Sequence, residues 1–266
     1  MVPNDDSTMV DSDALSRRGL ELLGRFLGAD AEAVTLSEQV KSTVSSKGGK
    51  ETILISYAWV IPGFSWIRLS EIKNSQGTFI YNLAALPDPR CAAPMIQAEF
   101  VVLRSKLFLI ILELSPLTHD AENETNLLNE RCHTFLASLT KQFESTLPPV
   151  SERMDWAEGV IDEDAFWSKP NTTEAIADGF RAFELFISFV VELKKQFLGN
   201  VSPQNASARK AHLIKVAEKF NANGPSKPFL ETFFGSEWTE NYLHEFFFPV
   251  ELLSKLPTVV CQTKLQ

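Results

Sequence analysis

The sequence predicts an α+β fold: a single domain built as an α/β/α sandwich, with a central, mainly antiparallel sheet and helices on both faces. Three observations predict it. Five strand-like segments follow one another between residues 51 and 114, each rich in Ile, Val, Phe, Tyr or Trp. The gaps between them are too short for crossover helices, so neighbours pair antiparallel. After residue 126 the apolar pattern turns helical, and strands followed by helices is the α+β order.

Taken in order, residues 1–12 are acidic and polar and read as a disordered lead, with the domain spanning 13–266. Ser16–Leu27 sets Leu20, Leu22, Leu23 and Leu27 among Arg17, Arg18 and Arg25, an amphipathic helix. Residues 43–50 are a polar loop. The strands are Glu51–Val60, Phe64–Ile72, Thr78–Leu86, Ile96–Leu103 and Leu107–Leu114. Turn residues separate them at Pro62–Gly63, Asn74–Gly77, Pro87–Pro89 and Arg104–Lys106. Apolar runs such as Ile53–Ile55 and Phe108–Leu112 have no polar face, which calls for helices on both sides. The helices are Asn126–Phe143, Thr172–Leu198 with Thr172 or Thr173 as cap, Ala206–Phe220, and Trp238–Phe247 ending before Pro249.

Composition narrows the function. The 266 residues can bury a full core without disulfides or metal. The net charge of −9, from 25 basic and 34 acidic residues, disfavours nucleic acid, whose phosphates need cationic surface. No apolar run is long enough to span a membrane. Cys91, Cys132 and Cys261 form no CxxC pair and suit a reducing compartment. His119, His133, His212 and His244 have no metal-ligand spacing, so no metal is expected. Nucleotide-binding glycine loops and the nucleophile elbow are missing too. The N-terminal residues resemble neither a secretory signal nor a transit peptide, which leaves a cytoplasmic chain or one whose targeting segment has been removed. Twenty Phe against three Tyr suit an apolar core or a flat apolar ligand pocket.

A few polar residues interrupt the strands. Glu99 sits among Phe100, Val101, Val102 and Leu103. It is either the outward residue of a half-exposed strand or an acid that must be paired or kept protonated. Asn82, after Phe79–Tyr81, is either a satisfied core amide or a ligand contact. Arg68 on an apolar strand needs an anion, from a side chain or from a substrate carboxylate. Trp59 and Trp66 flank the Pro62–Gly63 turn and are either core or pocket. Glu113 reads as structural.

Motifs run through the same region. Trp59 to Arg68 (WVIPGFSWIR) resembles the W-x-x-PGF-x-x-WR stretch of the ferredoxin-dependent bilin reductases. Within that family it is most similar to the branch acting on the 15,16 double bond of biliverdin. Asn82–Asp88, Ala93–Glu99 and Glu113–Leu117 resemble the family's N-S-x-x-x-P-D, P-x-x-G-x-D and D-x-x-PL motifs. Phe233–Trp238 and His244–Pro249 resemble its FG-x-x-W…HEFLFP close. The motifs span residues 59–249, in order.

The resemblance implies an α/β/α sandwich holding an open-chain tetrapyrrole between the sheet and the C-terminal helices. It implies no bound flavin or metal, with electrons arriving singly from reduced 2Fe–2S ferredoxin. Glu99 would donate protons to the bilin, with Asn82 its hydrogen-bonding partner. Trp66, Arg68, Lys169 and Phe234 would contact the bilin, and Arg104 and Lys106 would meet acidic ferredoxin. A monomer is expected, in the plastid stroma if the source is eukaryotic and in the cytoplasm otherwise. Three departures stand against this. The family's Asp is Glu99 here, as in the Ala-Pro-x-x-x-x-Glu setting of red chlorophyll catabolite reductases. Its second acid falls at Gly224–Ser226, which carry none. Its propionate-binding Arg segment is shortened to Phe166–Pro170, where Lys169 is the remaining cation. Three functions follow as alternatives: a ferredoxin-dependent reductase making a phycobilin or phytochrome chromophore precursor, a bilin carrier or sensor without turnover, and an enzyme acting on a chlorophyll catabolite.

Overall fold

The computed structural model describes residues 11–47, 51–117, 123–151, 157–158 and 160–258. Most of the expected lead, together with His119 and Cys261, lies outside them. The last two lead residues belong to a helix. Asp11 caps α1 (Ser12–Leu27) by accepting hydrogen bonds from the amides of Asp13 and Ala14 at 3.1 and 2.9 Å.

The five expected strands form a meander: β3 (Thr52–Ile61), β4 (Phe64–Asn74), β5 (Thr78–Pro87), β6 (Met95–Leu103) and β7 (Lys106–Ser115). Short pieces extend it to eight strands. β1 (Glu32–Ala33) and β2 (Ser42–Ser45) pair with β3, and β8 (Phe166–Ser168) pairs with β7. Every pairing is antiparallel. The β6–β7 turn holds Arg104 and Ser105 at φ 51° and 60°, the left-handed conformations that a two-residue hairpin turn demands.

Alternation along the strands sends side chains to two cores. One face carries Ile67, Leu69, Tyr81, Leu83, Phe100 and Ile110. It packs against α1, α3 (Asn123–Phe143) and α4 (Ala175–Leu193). In α4 the buried residues Phe183, Phe186, Ile187 and Val190 recur at helical spacing, which makes that stripe. Gly179 lets α4 approach closely, because a Cβ there would lie 2.6 Å from Leu107 Cδ2 and 3.0 Å from Phe100 Cε2.

The opposite face carries Leu54, Trp66, Ile72, Ile80, Met95 and Val101. The C-terminal layer covers it: α5 (Pro203–Asn223), α6 (Ser226–Phe234), α7 (Ser236–Tyr242), a π-helical turn (Leu243–Phe247) and α8 (Val250–Lys255). Further elements were not apparent from the sequence: α2 (Glu38–Lys41), β2 in the expected loop 43–50, α6, α8 and the 3₁₀ turn Gln196–Leu198. That turn cuts short the helix expected to run to Leu198. No helix among the described residues is long and apolar enough to cross a membrane.

Candidate functional site

The C-terminal face of the sheet is apolar except near its middle. Strand register brings the polar residues together there. Ser56 lies opposite Ser70, Ser70 opposite Asn82, and Asn82 opposite Glu99, a row across four strands. In the next row Arg68 lies opposite Ala84 and Gln97 opposite Glu113. Three of the polar strand interruptions, Arg68, Asn82 and Glu99, are therefore neighbours in space.

Their contacts are specific. The Arg68 guanidinium is buried and donates from Nη1 to Asn82 Oδ1 at 2.6 Å and from Nε to the Phe247 carbonyl at 2.5 Å. It stacks on the Phe247 ring, 3.6 Å from the centroid. Burial pulls the Arg68 pKa down to about 9, although the nearby Tyr242 and Glu99 oppose the fall. Glu99 is half-buried and lies directly opposite Asn82 in the β5–β6 register. Burial raises its pKa, against the opposing effects of Asn82 and the Arg68 charge. Beside them Tyr242 Oη lies 3.0 Å from Ser56 Oγ and 2.8 Å from Ser70 Oγ.

Glu99 and Asn82 open onto a cleft between the sheet and α6, about 710 Å³ counted with its open mouth. Its walls are mostly apolar: Leu54, Ile72, Ile80, Val101, Leu103, Phe108 and Leu109 from the sheet, with Phe229, Leu230 and Phe247 opposite. A narrow extension passes Arg68 and Gln97 toward Ile161 and Phe220. An acid in an apolar cleft is suited to holding a proton at neutral pH and delivering it to a bound ligand.

The structure does not bring all the expected contacts to this cleft. Trp66 is buried in the core and donates from Nε1 to the Phe246 carbonyl at 3.0 Å. Phe234 faces a separate groove with Trp238, their rings 4.8 Å apart. Lys169 follows β8 at the sheet edge, 5.7 Å from the Trp167 ring, and partial burial lowers its pKa. Arg104 and Lys106 are exposed at the hairpin tip, in sequence next to Leu103 and two residues from Phe108, which line the mouth. Glu113 is fully buried and accepts from Gln97 Nε2 at 2.8 Å and from the Asp162 amide at 2.7 Å, a structural role.

Gly224, where the resemblance places the family's second acid, ends α5. A Cβ there would sit 2.5 Å from the Phe220 carbonyl oxygen, so a side chain would require the backbone to shift. Pro225 and Ser226 face the cleft in its place. Sequence reasoning passed over Tyr242, although a tyrosine is scarce in this chain and this one stands just ahead of the quoted His244–Pro249 motif.

Comparison with known proteins agrees with this architecture. The chain is 22% identical over 214 residues to a phycoerythrobilin:ferredoxin oxidoreductase of Nostoc punctiforme, covering 77% of this chain and 79% of that one. It is 24% identical over 239 residues to a 15,16-dihydrobiliverdin:ferredoxin oxidoreductase of Synechococcus sp., covering 86% and 95%. Phytochromobilin synthase from tomato, solved in complex with biliverdin, superposes with a TM-score of 0.76 at 16% identity, over 92% of this chain and 84% of that one. The family model for ferredoxin-dependent bilin reductases matches residues 22–249, a span that takes in both walls of the cleft and all three of its clustered polar residues, and the chain belongs to that family.

Proposed function

We propose that this protein reduces a linear tetrapyrrole, biliverdin or dihydrobiliverdin, with electrons delivered singly by reduced 2Fe–2S ferredoxin and protons delivered through Glu99. The observation that carries this reading is a carboxyl of raised pKa on the wall of an apolar cleft, held by an asparagine amide. Each two-electron reduction consumes two electrons and two protons. With no side chain at Gly224, Glu99 is the one carboxyl lining the cleft among the described residues, so it must be recharged from solvent between transfers. Because burial raises its pKa, the acid keeps its proton to higher pH than a free Glu, which ionises near ~4.3. Turnover is expected to fall as pH rises through that shifted value.

The deciding experiment is anaerobic incubation with biliverdin and reduced ferredoxin, followed by absorbance and product analysis. Reduction with a one-to-one bilin complex supports the enzyme. The cramped Gly224 favours a second reading, a bilin carrier, which binding without reduction would establish. A protein that leaves the bilin spectrum unchanged at micromolar concentration is neither.

Ferredoxin is acidic, and the exposed Arg104 and Lys106 beside the cleft mouth offer it opposite charge. Reversing both charges, with Arg104→Glu and Lys106→Glu together, is expected to slow ferredoxin-driven reduction about tenfold at low salt. Bilin affinity should not change, and the defect should shrink as salt screens the parent's attraction. Equal rates for parent and variant at low salt would place ferredoxin elsewhere. The compartment follows the same reading: plastid stroma for a eukaryotic source, cytoplasm otherwise.

A further inference from the structure

Arg68 is 1% exposed in the middle of β4, and its hydrogen bonds go to a side-chain amide and backbone carbonyls. Nε is engaged by the Phe247 carbonyl, while Nη1 holds Asn82 Oδ1 and approaches the Asn82 carbonyl at 3.3 Å. The Phe247 ring covers one face of the guanidinium. A guanidinium can only donate. It therefore fixes the Asn82 amide with its oxygen toward β4 and its NH₂ toward Glu99, since the flipped amide would set donor against donor. Because Glu99 lies directly opposite on β6, the amide N–H groups are then the ones set toward its carboxyl oxygens.

We propose that Arg68 is a positioning residue rather than a propionate anchor: it locks Asn82 as a donor to one Glu99 oxygen and so leaves the transferable proton on the other. This rests on Glu99 acting as the acid. Arg68 also acts through its charge, which opposes the rise that burial imposes on Glu99. Among the described residues, further titratable groups buried on this face include Tyr242 from α7, bound to two serines, Glu113 on β7, set against Gln97 and the Asp162 amide, and Arg209 on α5, which donates to the Ala93 carbonyl. The Asn82 amide oxygen is held by Arg68, which sets the amide orientation.

The test reads Glu99 directly, from the pH titration of its carboxyl infrared band in the bilin complex, with Glu99→Gln identifying the band. It needs no turnover, so a protein that binds bilin without reducing it still tests the clamp, whereas failure of the parent to reduce bilin bears only on the proposed function. Arg68→Gln removes the charge and permits either amide orientation. Its Glu99 titration should move up by about 1 to 3 pH units, as loss of a nearby opposite charge predicts, with bilin affinity retained. Arg68→Lys restores charge and donor and should return the titration close to the parent value; it also keeps the test open if Arg68→Gln does not fold. An unmoved titration in Arg68→Gln, or an Arg68→Lys titration displaced as far as loss of charge predicts, overturns the proposal. So does a fall in affinity for biliverdin, but not for its dimethyl ester, in either variant, because that pattern marks a propionate anchor.

Discussion

Glu99→Gln is expected to lower bilin reduction by about 10²- to 10⁴-fold, the usual worth of a general acid, while bilin still binds. Glutamine keeps the shape and can still hydrogen-bond to Asn82, but it has no proton to transfer. The electron can arrive without the proton, so a bilin radical should accumulate under anaerobic conditions. Glu99→Asp keeps the acid but withdraws it by roughly one bond, and proton transfer tolerates little misplacement, so partial activity is expected. Glu99→Gln also has a stability consequence whose sign is fixed. Below the free Glu value of ~4.3 the carboxyl is protonated in folded and unfolded chains alike. As pH rises from there through the raised folded value, ionisation costs the folded state more than the unfolded one, and the cost is complete above that value. Glu99→Gln should therefore be at least as stable as the parent at neutral pH, where loss of turnover cannot be blamed on unfolding. Parent-like reduction by Glu99→Gln would remove Glu99 as the donor.

Phe186→Ala should cost about 3–5 kcal/mol, because the ring is 0% exposed in the α4 stripe and its removal leaves a cavity. In a chain of this size that lowers the melting temperature by roughly 10 °C. Phe186 belongs to the core on the sheet face opposite the cleft. Bilin affinity measured well below the transition should therefore be unchanged. Weakened binding with an unaltered melting temperature would show that the two faces are not independent.

Much of the fold is legible in the sequence because β-branched and aromatic runs separated by tight turns leave few alternatives. The five long strands lie within two residues of their expected ends. The elements that escape notice are short or carry misleading residues. β1, β2 and β8 have two to four residues and exist only because long strands are there to pair with. α6 follows Gly224–Pro225 and contains Pro228, so it reads as loop, yet Phe229 and Leu230 form much of the cleft's outer wall. Within the site, Glu99 and Asn82 stand out as polar breaks in apolar strands, but their direct opposition depends on register, which no local pattern reports. For Arg68 the sequence demands a compensating anion. The structure supplies carbonyls, an amide and an aromatic face, with the Glu99 charge one residue further off. Trp66 and Phe234 belong to matching motifs and Lys169 to the shortened segment, but all three point to other parts of the fold, and only tertiary packing separates a motif residue that touches the cleft from one that supports it.

The meander also divides the cleft between two separate lengths of chain. The acid, its amide and the guanidinium all lie between residues 68 and 99, on three strands joined by short connections. The facing wall comes from residues 225–247, beyond the whole helical layer on the other side of the sheet. Apart from Phe247, which lines the cleft and holds Arg68, proton placement and cleft shape are thus written in different places. Changes in α6 alter which ligand is admitted and how it lies, while the strands that carry the acid stay in register; only Phe247, whose carbonyl and ring hold Arg68, belongs to both. Such a scaffold can exchange one tetrapyrrole for another without rebuilding its chemistry.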